Sequence, residues 1–251
     1  VPISDPGFYL IAVPAVIFLG VSKGGFGSGA DFVSMAILAL VLPPGQALGL
    51  LIPLLLLMDL ANLRAYWGKW DSRIVRVLLV GAVPGVALGV LVYRIVDDDA
   101  VRVLIGAIAV LFVLWRVALE SGWIRPPRAA LPEGVGVVAG LVSGFASFIS
   151  HGGGPAATAY LFSLRLEKTT FQATTVLAFW VVNILKLAGY VYLGLMSVDL
   201  LVTDLILMPF ALFGIWLGIK AHRLLPDVVF FRVAYVLLLI AGGKLIWDGM
   251  T

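Results

Sequence analysis

Two short stretches hold the residues best suited to chemistry: Lys23 with Gly24, Gly25, Phe26, Gly27 and Ser28, and His151 with Gly152, Gly153 and Gly154. In each, a lone basic side chain follows an apolar run and precedes glycines. Glycine lets a bound group approach the backbone closely. The unpaired N–H groups at a helix start, helped by the helix dipole, attract an anion. A neighbouring lysine adds charge and a histidine adds hydrogen-bond donors, so the chemistry indicated is binding of a small anion. Blander readings compete: glycines that only let helices pack closely, a Lys23 paired with Asp31 or Asp59 or snorkelling to an interface, and a structural His151. Two further pairs, Asp59 with Asn62 and Asn183 with Lys186, are spaced i,i+3 and so share a helix face. Asn183 and Lys186 sit in an apolar run and read as cavity residues, with interhelical hydrogen bonding as the alternative. Asp59 and Asn62 are assigned to coupling, and His151, Asp59 and Lys186 are the groups able to titrate. Gln172 and Thr175, with Gln46 and Thr174, begin long apolar runs and are further hydrogen-bonding candidates.

The surroundings of these residues are unusually apolar. Of 251 residues, 62% are hydrophobic and 12% charged, against about 45–50% and 25% in soluble domains. That excludes a soluble globular domain and a disordered chain. Runs such as Leu48 to Met58 are continuous, without the alternation of a transmembrane β-barrel. The expected class is therefore an all-α polytopic membrane protein. Cysteine is absent, which excludes disulfides and thiolate metal sites. The two histidines are too few for a three-histidine metal site, and no cofactor is expected. There is no His-Glu-x-x-His motif, Gly-x-Ser-x-Gly elbow or carboxylate cluster to suggest an enzyme. The basic residues are too dispersed for nucleic-acid recognition.

The elements that must position the site follow from the apolar segments, at 8–22, 29–42, 46–66, 74–95, 101–119, 135–150, 156–164, 170–194, 200–219 and 229–247. A crossing takes about 20 residues. The pairs 8–22 with 29–42 and 135–150 with 156–164 are mostly shorter. Each reads as a broken or re-entrant helix pair that leaves by the face it entered. Three long segments follow each pair, so each half crosses an odd number of times and the second must be inverted. The expected organisation is a first repeat at 1–119, a cytoplasmic linker at 120–133 containing Pro126, Pro127 and Pro132, and a second, inverted repeat at 134–251. Matches keep their order between the halves: Lys23 with His151, Tyr66–Asp71 with Tyr192–Asp199, Pro84, Gly85 and Gly89 with Pro209, Gly214 and Gly218, and Arg102 with Arg232. One set of loops carries Arg64, Lys69, Arg73, Arg76, Arg116, Arg125, Arg128, Arg165, Lys168, Lys220, Arg223 and Arg232, and the other only Arg94 and Arg102. The positive-inside rule makes the first set cytoplasmic and both termini periplasmic. The first residues, Val1 to Gly7, lack the basic start of a signal peptide. Lys244 and Asp248 read as an interfacial ion pair, and Trp67, Trp70, Trp123 and Trp247 as an aromatic belt.

The stretches GVSKGGFGSG (Gly20 to Gly29), PPGQALGLLIP (Pro43 to Pro53) and AVPGVALG (Ala82 to Gly89), with their scheme repeated in the second half, resemble the sulfite exporter TauE/SafE family, also called the toluene-sulfonate uptake permeases. The resemblance runs from Gly7 to about Gly249. It implies an inverted duplication and a bacterial inner-membrane carrier of small sulfur-containing or organic anions such as sulfite, sulfonates or sulfoacetate-like compounds. The second half has HGGGP where the first has KGGFG, so the two turns are not equivalent. The expected function is a secondary transporter that holds its anion at mid-membrane between two glycine-broken helices, and the alternative is an uncoupled small-anion channel. Expected partners are the small anionic substrate and membrane lipid, not nucleic acid. The coupling ion is left open between a proton and sodium.

Overall fold

The computed structural model describes residues 3, 5–26, 31–124, 129–224 and 226–251. Helix α1 (Pro6–Val21) runs on through a π-helical turn at Ser22–Phe26. It is followed by α2 (Phe32–Leu38), α3 (Pro44–Ala65), α4 (Ser72–Ile95), α5 (Asp98–Glu120), α6 (Glu133–Ser150), α7 (Gly154–Ser163), α8 (Lys168–Tyr192), α9 (Val198–Leu224) and α10 (Asp227–Met250). No strand occurs among the described residues. Local chemistry sets several helix starts. Asp5, Asp71 and Asp97 accept hydrogen bonds from first-turn N–H groups of α1, α4 and α5, satisfying donors that a helix start leaves orphaned. Proline opens α1, α3 and α7, where its missing N–H costs nothing.

Among the described residues, eight helices are long and apolar enough to cross a membrane. The segments of the two pairs, expected to be mostly shorter than a crossing, divide evenly. The first pair begins with a 21-residue stretch, Pro6–Phe26, and the second with the 18 residues of α6. Only the second members are short, with 7 residues in α2 and 10 in α7. The polar Ser22 and Lys23 do not end α1, because the chain widens into a π turn and continues along α9.

Contacts sort the loops into two faces. The Arg73–Glu133 ion pair, the Leu131 N–H donated to Ser163 and the Tyr235 hydroxyl donated to Glu120 gather the α3–α4, α5–α6, α7–α8 and α9–α10 connections. This is the basic face. At the other end, Arg94 meets Tyr192, Gly45 lies against Tyr93 and Leu195, and Gly249 lies against Asp99. Helix α1 therefore starts at the opposite face and α6 at the basic face. In both cases the short second helix leads the chain back to the face from which its pair set out.

Packing follows the small residues. Helix α1 crosses α9, and α6 crosses α4, while α5 pairs with α10 and α3 with α8. A Cβ built on Gly20 would stand 2.8 Å from the Cα of Gly214, and one on Gly214 would stand 3.0 Å from the Cα of Gly20. Gly140 and Gly144 face the backbone of Leu78 and Ala82 in the same way. Lipid tails are as apolar as leucine, so close backbone approach is a principal source of helix association. Helix α3 lies at the centre, with Leu48, Leu50, Leu51, Ile52 and Leu54 fully buried. Val80, Leu91, Leu111 and Ile240 stay exposed on the outside, where lipid covers them. A second cluster, Tyr160 and Leu161 against Ile74, Leu78 and Ala178, seats α7 on α4 and α8.

Candidate anion site

The π turn carries Lys23 at the level of the bundle centre. Its Nζ lies 2.8 Å from Asp59 Oδ1 and 3.2 Å from Asp31 Oδ2. The hydroxyl of Ser22 donates to Asp31 Oδ1 at 2.9 Å. Asn183 Nδ2 donates to the second Asp59 oxygen at 2.6 Å, and Asn183 Oδ1 accepts from Lys186 Nζ at 3.0 Å. Lys186 Nζ then stands 2.5 Å from His151 Nδ1. One polar chain thus links the π turn, the residue before α2, α3, α8 and the turn after α6, and its members are buried in an apolar bundle.

His151 occupies the left-handed position that ends α6, with φ 57. Glycine is the usual occupant of such a cap. A side chain held there costs on the order of 1 kcal/mol or more, and it brings the imidazole across to α8. Its Nε2 makes no hydrogen bond of normal geometry among the described residues, although the Leu48 carbonyl faces the ring. The charges are unevenly distributed. Lys23 has two carboxylates, whereas Lys186 has none within ion-pair distance among the described residues and rests on two neutral groups. With both lysines charged and both aspartates ionised, the cluster is neutral.

Lys23, Asp31, Ser147, His151, Asn183 and Lys186 line a narrow cavity of about 20 Å³ with Phe32, Leu55, Gly154 and Phe179. That is space for about one water, so an oxyanion enters only if the walls part. Two larger cavities flank it. At the basic face, about 210 Å³ is enclosed by Phe26, Phe112, Trp115, Phe162, Phe171 and Phe231, with Arg116, Thr158, Gln172 and Thr175 among them. Arg116 is held there by Tyr235 and Glu120. At the opposite face, about 460 Å³ is lined by Gln46, Tyr93, Asp98, Leu195 and Ser197. The barriers on the two sides differ. One face of α8 carries Gln172 and Thr175 in the basic-face vestibule, then Phe179, Asn183 and Lys186 in the central cavity. Thr175 to Phe179 is about 6 Å along a helix. On the other side, Gln46 to Leu55 along α3 is about 13 Å, filled by buried leucines and Ile52. Phe148 adds to this barrier, wedged between Gly89 and Gly189, with its carbonyl taking the Tyr190 hydroxyl at 2.6 Å.

The candidates from the sequence fall into three groups. Lys23, Asp59, His151, Gly154, Asn183 and Lys186 come together at the centre. Phe26, Gln172 and Thr175 line the vestibule instead. Gly24, Gly25 and Gly153 are taken up by packing, the half-buried first two against the α9 backbone at Ile215 and Gly218 and the buried third against Ser143 and Ser147 of α6. The Gly152 N–H is used by Ser150. Asn62 is half-buried and joins none of the contacts at the centre, and Gln46 lies at the opposite face. Gly27 and Ser28 lie outside the described residues. The two glycine turns differ at the cavity. Asp31 stands at the start of α2 and is tied to Lys23, so a carboxylate already holds that end, and only the α7 start opens on the cavity free of one. Sequence reasoning missed Ser147, which lies on one α6 stripe with Ser143 and Ser150; serines at 3–4 residue spacing in an apolar helix were the available signal. It also missed Asp204, buried in α9 with neither carboxylate oxygen partnered among the described residues.

The family model described as sulfite exporter TauE/SafE matches residues 12–245. The chain belongs to the sulfite exporter TauE/SafE family. Neither a curated protein nor a solved structure matches it. TauE/SafE membership makes this a membrane transporter of sulfite or related anions, consistent with a role other than catalysis. It also agrees with the multi-pass, lipid-facing exterior described above. The match runs from within α1 into α10 and contains all of the network residues.

Proposed function

We propose that this protein is a secondary transporter that moves sulfite, sulfonates or sulfoacetate-like anions across the bacterial inner membrane. The anion is held at mid-membrane against Lys186, His151 and Asn183, beside the glycine turn that starts α7. One observation carries this reading: the Lys186 side chain is buried in the bundle without a carboxylate partner among the described residues, on the wall of the central cavity. A buried charge in a membrane protein is costly and is a functional site by default. An incoming anion supplies the counter-charge that the protein leaves out.

The basic face is cytoplasmic in this reading and both termini are periplasmic, because the Lys and Arg residues gather at one end. Residues 1–119 and 134–251 are inverted duplicates joined by a cytoplasmic linker at 120–133. The pairing of helices supports this: α1 on α9 has its counterpart in α6 on α4, and α5–α10 and α3–α8 join equivalent helices. Inverted repeats around a midplane site are the usual frame for alternating access. The thin barrier toward the basic face and the thick one toward the other describe an occluded state close to cytoplasmic opening.

The test is flux in proteoliposomes. Labelled sulfite and methanesulfonate should enter faster than into empty vesicles, and unlabelled anion preloaded inside should accelerate entry. Flux of the same anions without that acceleration would support an uncoupled channel, and no flux of sulfite, sulfonate or carboxylate would remove the transporter reading.

A further inference from the structure

We propose that the Lys186–His151 pair is a proton-binding site, which holds one excess proton when the cavity is closed and takes up a second with each monoanion. The proposal rests on the anion-binding reading above and adds the co-substrate.

The geometry of the pair limits its protons. Lys186 Nζ and His151 Nδ1 are 2.5 Å apart, and a contact that short needs a single hydrogen between the two nitrogens. An ammonium donating to a neutral imidazole satisfies it. An ammonium facing an imidazolium does not, because both nitrogens would then be donors. Taking Lys186 as the ammonium that balances Asp31 and Asp59 together with Lys23, the closed pair has charge +1 and the cluster is neutral. An anion that parts the walls and inserts between the nitrogens removes the restriction. Each nitrogen then donates to the anion, and the imidazole takes a proton from vestibule water. No covalent bond other than N–H and O–H changes. The added negative charge and the added proton cancel, so the loaded cavity is neutral as well, which suits a low-dielectric interior.

Other groups around the pair do not compete for this role. From the π turn comes Lys23, and from the start of α2 and from α3 come Asp31 and Asp59, bound to Lys23. From α8 comes Tyr190, whose ring lies 6.1 Å from the imidazole and whose hydroxyl is committed to Phe148. Tyr160 of α7 belongs to the basic-face cluster. The ionisable residues of α4 (Arg73, Arg76, Tyr93 and Arg94) and of α5, which also pack on α6, lie near the ends of those helices. His151 Nδ1 is thus the atom at the cavity that can take a proton once an anion draws Lys186 away from it.

Two measurements test this with methanesulfonate, an anion that does not itself titrate near neutral pH. In proteoliposomes with a trapped pH dye, its entry should acidify the interior, and the flux should be insensitive to membrane potential. In calorimetry of the detergent-solubilised wild type, repeated in buffers of different ionisation heat, binding should take up about one proton per anion. His151→Gln keeps an acceptor for Lys186 but cannot titrate. It should bind with proton uptake near zero, and any flux it retains should become potential-driven. If wild type moves the anion without protons, or His151→Gln takes up protons as wild type does, the proton site is wrong and the transporter reading stands. If wild type moves no anion, both fall. Should His151→Gln fail to fold, the wild-type calorimetry decides alone.

Discussion

At the scale of single residues, two buried lysines have opposite expected behaviour because their partners differ. Lys23 is held by Asp31 and Asp59. Removing one member of a buried pair costs about 3–5 kcal/mol, so Asp59→Ala should sharply lower the apparent Tm in detergent, and it also strands the amide of Asn183. Lys186 has no carboxylate partner among the described residues. Lys186→Met fills a similar volume without a buried charge, and such replacements are often neutral or stabilising. The expected outcome is an unchanged or raised Tm together with loss of the stabilisation that wild type gains from methanesulfonate. A destabilised Lys186→Met that still responds to the anion would refute the site. Lys23, His151, Asn183 and Lys186 were legible in the sequence because each is a polar residue stranded in an apolar run, which is improbable in lipid without a purpose. Which lysine is neutralised and which is not could not be read, because Asp31 and Asp59 stand within reach of Lys23 only after α1, α2 and α3 have packed.

At the scale of elements, the glycines divide into those that face another backbone and those that do not. Gly140 meets the carbonyl of Leu78 and the nitrogen of Ala82 across the α6–α4 crossing. Gly140→Leu should lower the apparent stability by at least about 1–3 kcal/mol, the usual cost of overpacking. Gly243 in α10 has nothing within reach of a Cβ, so Gly243→Ala should be neutral or stabilise by up to about 1 kcal/mol through helix propensity. Thermal unfolding of both variants in one detergent checks the contrast. Helix starts were legible where proline or a capping aspartate marks them. The π turn was not, since a wider helical turn has no local sequence rule that separates it from a break: glycines after a lysine suit either, and the fit against α9 decides between them.

At the scale of the whole molecule, the access asymmetry makes a prediction that the absence of cysteine makes clean to test. Gln172→Cys in the vestibule should react with an impermeant thiol reagent supplied at the basic face and not at the other. Ser197→Cys should react only from the opposite face, and Leu55→Cys at the closed centre should be protected from both. Mass spectrometry after labelling sealed vesicles of each orientation reads all three. Labelling of Leu55→Cys from the opposite face would show that the thick barrier is not one. The sequence by itself determined the membrane class, the long spans, the clustering of positive charge at one end and the family, because burial in lipid depends on local, nearly additive transfer energies and on short motifs. Only the tertiary structure decided that Lys23 is neutralised, that Lys186 shares its contact with His151, that Gly24 and Gly25 pack against α9 instead of lining a site, and that the central cavity lies one helical turn from the basic-face vestibule. These facts depend on which helix faces meet, and that is settled by backbone contacts between residues far apart in the chain.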